Sequence, residues 1–105
     1  RRAATMCVAF LFLGDPDPDE DALKSPYVFV LAVNRDESYE RPTQQMHFWP
    51  DRADVLAGRD EDTKGTWMGI TRTGRVAVVT NYHEETPRHP PGTSPSRGEL
   101  PVKFL

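Results

Sequence analysis

Two uninterrupted apolar runs near the amino terminus constrain the fold of this chain more than any other feature. They span residues 7–13 and 27–33, and the second contains three valines. Short apolar runs of this kind, bounded by turn-forming residues, are typical of buried strands. Residues 14–21 between them are rich in aspartate and proline, which predicts an exposed loop. We therefore predict a hairpin of two buried strands, the second of them buried on both faces.

The remainder of the chain predicts further strands followed by one helix. Residues 66–70 and 76–80 flank a five-residue connector with a late glycine, which favours a second hairpin. Residues 55–58 are predicted to be a short edge strand, and residues 36–49 to be irregular because Pro42 interrupts them. Residues 82–95 form a predicted loop, after which Ser96 or Gly98 begins a helix that tolerates Pro101 in its first turn. Strands followed by a helix predict an α+β layered sheet.

Composition excludes several classes of function. The chain has 105 residues, which suits one small domain, and a net charge of −3 with no basic face, which argues against nucleic acid as a partner. No apolar run approaches the roughly 20 residues of a transmembrane helix. Cys7 is the single cysteine, so no intrachain disulfide can form. A reducing compartment, the cytoplasm, is therefore expected.

Residues with metal-binding or stacking side chains show no pattern typical of a site. The acidic loop lacks the glycine and terminal glutamate of a calcium-binding EF-hand loop. His47, His83 and His89 fall in predicted loops without metal-ligand spacing, so no metal site is expected. One of them could ligate haem iron, but a surface position is favoured. Trp49 and Trp67 are predicted to be packing anchors rather than a platform for a ligand.

Polar residues stand at the ends of the predicted strands. Cys7 begins the first strand, and the tetrad of residues 34–37 (Asn-Arg-Asp-Glu) follows the second. Asn81 follows the strand at residues 76–80. Rigid strands often hold such groups around a site. From the residues alone, however, ordinary strand-to-loop transitions are favoured.

An ordered series of motifs adds a resemblance to a known family. Besides the tetrad, the motifs are residues 6–10, 31–33, 41–43, 48–49, 55–60, 65–70, 80–82, 96–100 and 104–105. The series resembles the opening of the NRDE-domain family, the transport-and-Golgi-organisation protein two family, in order from Met6 to Leu105. We expect residues 6–105 to be the amino-terminal part of a single, truncated NRDE domain. Residues 1–5 would then be an extension or upstream sequence.

The resemblance implies a fold and a cellular role. Members of the family are more than twice as long as this chain, and their architecture resembles that of the amino-terminal-nucleophile hydrolases, a four-layer αββα sandwich. They are linked to Golgi organisation, secretion, lipid balance and intracellular haem movement. The implied ligand is thus a small molecule, haem as a transported ligand or a lipid. The implied location is the cytoplasm, with association with the Golgi or mitochondria.

The same resemblance implies an enzymatic alternative, a cysteine amidohydrolase acting on a small amide. In related bile-salt hydrolases and penicillin V acylases, methionine is removed and the amine of the exposed cysteine serves as base for its own thiol. Cys7 would be the nucleophile, Arg35 would favour its thiolate and Asp36 would orient the amine. Asn81 would donate an N–H to the oxyanion.

Two features leave that alternative open. Five residues precede Met6, and with them Cys7 has no free amine. Either Met6 is the true start, or residues 1–5 are cleaved, or this chemistry is absent. The same residues also fit a structural reading. Cys7 would be a small buried hydrophobe, Arg35 and Asp36 would form an ion pair with each other, and Asn81 would hydrogen-bond its own turn.

Overall fold

The computed structural model describes residues 6–14, 27–81, 90 and 95–105. In this part of the chain the elements are β1 (Val8–Leu13), β2 (Phe29–Asn34), β3 (Thr43–Trp49), β4 (Arg52–Asp60), β5 (Met68–Thr71), β6 (Val76–Val78) and α1 (Glu99–Phe104). All the strand pairs are antiparallel and a short helix follows them, which confirms the α+β class. Residues 1–5, His83, His89, nearly all of the acidic loop and most of the predicted loop at 82–95 lie outside the described residues.

β1 and β2 form the predicted hairpin, a two-stranded sheet of their own. Leu11 lies opposite Leu31, and Phe12 lies opposite Val30. The prediction that both strands are buried is wrong, since Phe10 is 69% exposed. Successive side chains of a strand point to opposite faces. In the described part of the chain β2 faces the main sheet through Phe29 and Leu31. Leu11 and Leu13 on the same face of β1 are 62% and 69% exposed, so β1 is exposed on both of its faces.

The main sheet has the order β3-β4-β5-β6. The prediction of an edge strand at residues 55–58 is wrong, because these residues lie within β4, which pairs on both sides. The prediction that residues 36–49 are irregular is wrong from Thr43 onward, where β3 begins. Pro42 directly precedes β3 and so interrupts no ladder. Register shifts between Gln44 and His47 and at Trp49 interrupt the period-two pattern by which a strand is recognised.

β5 and β6 form the second predicted hairpin. Met68 lies opposite Val78 and Ile70 lies opposite Val76. Gly74 in the connector has a φ of +87°, a left-handed conformation that glycine adopts without strain. The hairpin prediction is therefore confirmed.

The helix α1 covers one face of the main sheet. Val55 and Ala57 of β4 are buried on this face together with Leu105, and Val102 packs against them. A side chain at Gly69 would collide with Leu105, so the end of the helix lies directly on β5. On the opposite face, Phe29 and Leu31 of β2 approach Met68 and Ile70 of β5. Helix, main sheet and hairpin thus form three layers, and the fourth layer of the αββα architecture stays a prediction.

Arginines from the main sheet hold the carboxyl end of α1. Arg52 donates to the carbonyl oxygen of Val102 at 2.7 Å, and Arg75 donates to that of Phe104 at 3.2 Å. The last carbonyls of a helix have no partner within the helix and carry partial negative charge. Pro101 lies in the first turn, as predicted, and it is buried. A helix of six residues is therefore stabilised mainly by its contacts with the sheet.

Candidate functional site

Arg35 of the tetrad joins the hairpin to the main sheet. It directly follows β2, and its side chain is 20% exposed. One Nη donates to Oγ1 of Thr43 at 3.0 Å, and the other donates to Oδ2 of Asp60 at 2.9 Å. Thr43 begins β3 and Asp60 ends β4. A single guanidinium therefore reaches from the end of one sheet to two strands of the other.

Trp67 lies beneath this guanidinium. The Cζ atom of Arg35 is 4.4 Å from the ring centroid of Trp67, a cation–π geometry. The ring also lies against Gly58, where an added Cβ would come within 2.5 Å of Cη2. The glycine is thus required for the close approach of the indole to the backbone of β4.

Asp60 is the acceptor around which the charged groups gather, and it is 6% exposed. Besides Arg35, it accepts from Nε and Nη2 of Arg41 at 2.8 and 3.1 Å. The backbone N–H and the hydroxyl of Thr63 also donate to it, at 3.0 and 3.1 Å. Burial alone raises the pKa of Asp60, but the hydrogen bonds from Arg41 and Thr63 outweigh it and hold the pKa well below its usual range. We call Arg35, Arg41, Asp60 and Thr63 the Asp60 cluster.

Three of the four predicted site residues lie together. Val8 pairs with Asn34, so the same register places Cys7 opposite Arg35. The backbone N–H of Met6 donates to Oδ2 of Asp36 at 2.9 Å. The amidohydrolase hypothesis requires Asp36 to bind the amine of Cys7. In the structure Asp36 binds the backbone nitrogen of the preceding residue, Met6. Cys7 is half-buried, with a free thiol.

The expected ion pair between Arg35 and Asp36 is wrong. Arg35 pairs with Asp60, and Asp36 turns to Met6. Glu37 contributes little to the pairing, because its carboxylate is 4.0 Å from Arg35. Neighbours in the chain that follow a strand point in different directions, so adjacency in sequence did not determine the pair.

Asn81 is the fourth predicted site residue. It follows β6, and the N–H of Val79 donates to the carbonyl oxygen of Trp67 at 2.9 Å. Asn81 is half-buried. The segment leading to Asn81 is therefore hydrogen-bonded to the residue that stacks on Arg35. Within the described residues no hydrogen bond links Asn81 to Cys7, Arg35 or Asp36.

An apolar groove of about 160 Å³ separates the hairpin from the main sheet. β2 lines one side and the main sheet lines the other. The lining residues are Phe29, Leu31, Met46, Met68, Gly69, Ile70 and Val76. None of them is charged, and a cavity of roughly 150 Å³ with such walls accommodates one aromatic ring. The groove is therefore suited to an apolar group and offers no counter-charge.

Comparison with known protein families identifies the family to which this chain belongs. The sequence profile of the family described as Transport and Golgi organisation 2 matches residues 6–105. The chain belongs to the Transport and Golgi organisation 2 family. This confirms the resemblance that the motifs indicated.

Curated members of the Transport and Golgi organisation 2 family are similar over nearly all of this chain. The mouse "Transport and Golgi organization 2 homolog" is 42% identical over 103 residues, covering 95% of this chain and 35% of the relative. The bovine and human "Transport and Golgi organization protein 2 homolog" are 41% and 40% identical, with the same shares covered. The chain spans about a third of the length of these relatives. No solved structure gives a significant match.

Sequence reasoning about this Transport and Golgi organisation 2 chain missed Asp60 and the groove. Asp60 lies 25 residues from Arg35 and 19 from Arg41, so no local pattern connects them. The groove is formed from strands of both sheets, and only their packing shows it. The prediction that Trp49 and Trp67 are packing anchors is confirmed, since Trp49 is in the core and Trp67 carries Arg35.

The described residues can be searched for metal-binding groups and for helices that could cross a membrane. His47 lies in β3 rather than in a loop, with Nδ1 2.7 Å from the carbonyl oxygen of Gln45. Within the ranges that the structure describes, no group of three or more histidine, cysteine, aspartate or glutamate side chains is placed to hold a metal ion. In the same ranges no helix has the length and apolar character needed to cross a membrane.

Proposed function

We propose that this protein serves Golgi organisation and secretion by binding an apolar small molecule, a lipid or haem, in the groove between the hairpin and the main sheet. The names of the mouse, bovine and human relatives support the cellular role. The uncharged groove lined by β2, β3, β5 and β6 is the observation that supports the binding. The single cysteine of this chain, a free thiol, supports a reducing compartment, the cytoplasm, as the location. Contact with the Golgi or mitochondria is part of the proposal as what the family resemblance implies.

The size of the groove favours a lipid over haem. Sites that enclose a drug-sized ligand have volumes of roughly 300–1,000 Å³. The groove has about 160 Å³, so a macrocycle would remain largely outside it, whereas one segment of an acyl chain would fit. Burial of apolar area contributes about 25 cal/mol per Å², and the polar end of a lipid can stay in water.

We expect Ile70→Asp to weaken the binding of a fluorescent fatty acid about tenfold, because a carboxylate in an apolar groove is costly to desolvate. Phe12→Asp is the matched control. Phe12 is a similarly exposed apolar residue, but it lies on the hairpin face that points away from Leu31 and the groove. Fluorescence titration of the intact protein measures both affinities, and a parallel titration with haem followed by absorbance tests the other ligand. Equal losses in the two variants would contradict the proposal.

The second candidate function is a cysteine amidohydrolase. The placement of Cys7 opposite Arg35, with Asp36 on the main chain at Met6, favours it. Removal of the residues through Met6 would expose the amine of Cys7 next to that carboxylate. A complete αββα sandwich, with residues 6–105 as the amino-terminal part of a single NRDE domain, belongs to the same proposal.

This candidate predicts a mature protein that begins at Cys7. Intact mass and amino-terminal sequencing of the protein purified from its own cells measure the start directly. Cys7→Ser should then lower the hydrolysis of small amides by about two orders of magnitude or more, since the hydroxyl is the weaker nucleophile. A mature chain that retains Met6 excludes the α-amine mechanism.

A further inference from the structure

The hairpin and the main sheet share no backbone ladder in the described residues, since β1 and β2 form a sheet of their own. Side chains must therefore hold the two layers together. At the tetrad the contacts are strong: Arg35 bonds to Thr43 and Asp60 and stacks on Trp67. Along the groove the contacts are weaker, because Phe29 and Ile70 remain partly exposed there.

The groove lies along β2 at a distance from these contacts. Leu31 and Phe29 line it, four and six residues before Arg35. At about 3.3 Å per residue of strand, they are roughly 13 and 20 Å from the Cα atom of Arg35. The hairpin is thus held firmly at one end, and the part that covers the groove extends away from that end.

We propose that the Asp60 cluster is the anchor that holds the β1–β2 hairpin over the groove and so controls the entry and exit of the acyl chain of a lipid. The inference rests on the proposed function, because it concerns access to the same groove. In this view Arg35 acts on the position of the hairpin rather than on the ligand. Asp36, through Met6, joins β1 to the segment that carries Arg35.

Asp60 is suited to the anchoring role because the main sheet already fixes it. Asp60 ends β4, and Arg41 and Thr63, from the segments next to β3 and β4, donate to both oxygens of its carboxylate. Arg35 approaches the same carboxylate from the end of β2. A buried carboxylate that accepts several charge-assisted hydrogen bonds keeps its position and its charge. The hairpin therefore gains a rigid point of attachment through one side chain.

The main sheet contains a second unit of the same chemistry, which supplies a matched control. Arg59 forms a bidentate pair with Asp51 at 2.5 and 2.9 Å and lies 4.4 Å from the ring centroid of Trp49. Its side chain is 20% exposed, as is that of Arg35. This unit lies wholly within β3, β4 and their turn, so it joins no part of the hairpin.

The test compares Arg35→Met with Arg59→Met in the intact protein. Hydrogen exchange of the amides at residues 29–34 should become about tenfold faster in Arg35→Met and stay within about twofold of the wild type in Arg59→Met. Dissociation of a bound fluorescent fatty acid, followed by stopped flow, should also accelerate about tenfold in Arg35→Met only. Equal acceleration of hairpin exchange in both variants would show general destabilisation and would overturn the inference.

A second variant and a measurement without ligand complete the test. If Arg35→Met does not fold, Thr43→Val removes one acceptor of Arg35 with almost no change in shape. It should speed hairpin exchange about threefold, and no acceleration would overturn the inference. Hydrogen exchange needs no ligand. A wild-type protein that binds no fatty acid and no haem would therefore sink the proposed function, while the difference in exchange would still support the anchor.

Discussion

Asp60→Asn will lower the free energy of unfolding by about 2–4 kcal/mol, because removing one partner of a buried ion pair leaves the other uncompensated. Asparagine has nearly the same shape but no charge, so Arg35 and Arg41 lose their shared counter-ion. The loss stays below the largest known values because both guanidiniums are partly exposed and solvated. Urea denaturation followed by circular dichroism measures it.

The acid dependence of stability gives a second reading of the same variant. The folded-state pKa of Asp60 is depressed, so its contribution is fully present above its unfolded pKa of about 3.9 and is lost as pH falls below that value. The wild type should therefore lose stability between about pH 5 and pH 2 more steeply than Asp60→Asn. Asp51→Asn, which breaks an exposed pair with Arg59, is the control and should cost less. Equal destabilisation by Asp60→Asn and Asp51→Asn would contradict this role of the buried Asp60.

Trp49→Ala will cost about 3–5 kcal/mol of unfolding free energy, the usual range for removing a fully buried large aromatic side chain. Trp49 is 1% exposed and packs with Val55, Ala57 and Leu105. Its Nε1 donates to the carbonyl oxygen of Ala57 at 3.1 Å. Alanine would leave a cavity beneath Arg59 and would remove the hydrogen bond to the carbonyl of Ala57. Circular dichroism in urea is the measurement, since the change also removes a fluorophore.

The neighbouring residue provides the control. Phe48 lies in the same strand but is 44% exposed, so Phe48→Ala should cost roughly 1 kcal/mol. Trp49→Phe keeps an aromatic ring and loses the hydrogen bond, which places it between the two at about 2 kcal/mol. A Trp49→Ala protein no less stable than Phe48→Ala would mean that Trp49 is not in the core.

Strands with strong local signals were predictable, and strands with weak ones were not. β1, β2 and the β5–β6 hairpin carry apolar runs or a glycine turn, and all were recognised. β3 was missed because its register shifts hide the alternation, and the central place of β4 was missed because pairing is decided by other strands. The burial of β1 and β2 was overestimated, since apolar composition does not state whether a second layer covers a strand.

The site shows the same division. Sequence reasoning singled out Cys7, Arg35, Asp36 and Asn81. The hairpin brings the first three near one another, whereas no hydrogen bond among the described residues joins Asn81 to them. The sequence did not predict that Arg35 forms its ion pair with Asp60 rather than with its neighbour Asp36. The choice depends on where the ends of two separate sheets meet, which is a property of the packed layers.

The sequence by itself determined the family, the two hairpins and the helix after residue 98, because each depends on residues close together in the chain. Only the tertiary structure decided what the tetrad does. In the structure Arg35 of the tetrad connects the two sheets through its contacts with Asp60 and Trp67. The physical reason is that ion pairs, stacks and grooves form between groups brought together by packing, and no local propensity specifies their distances.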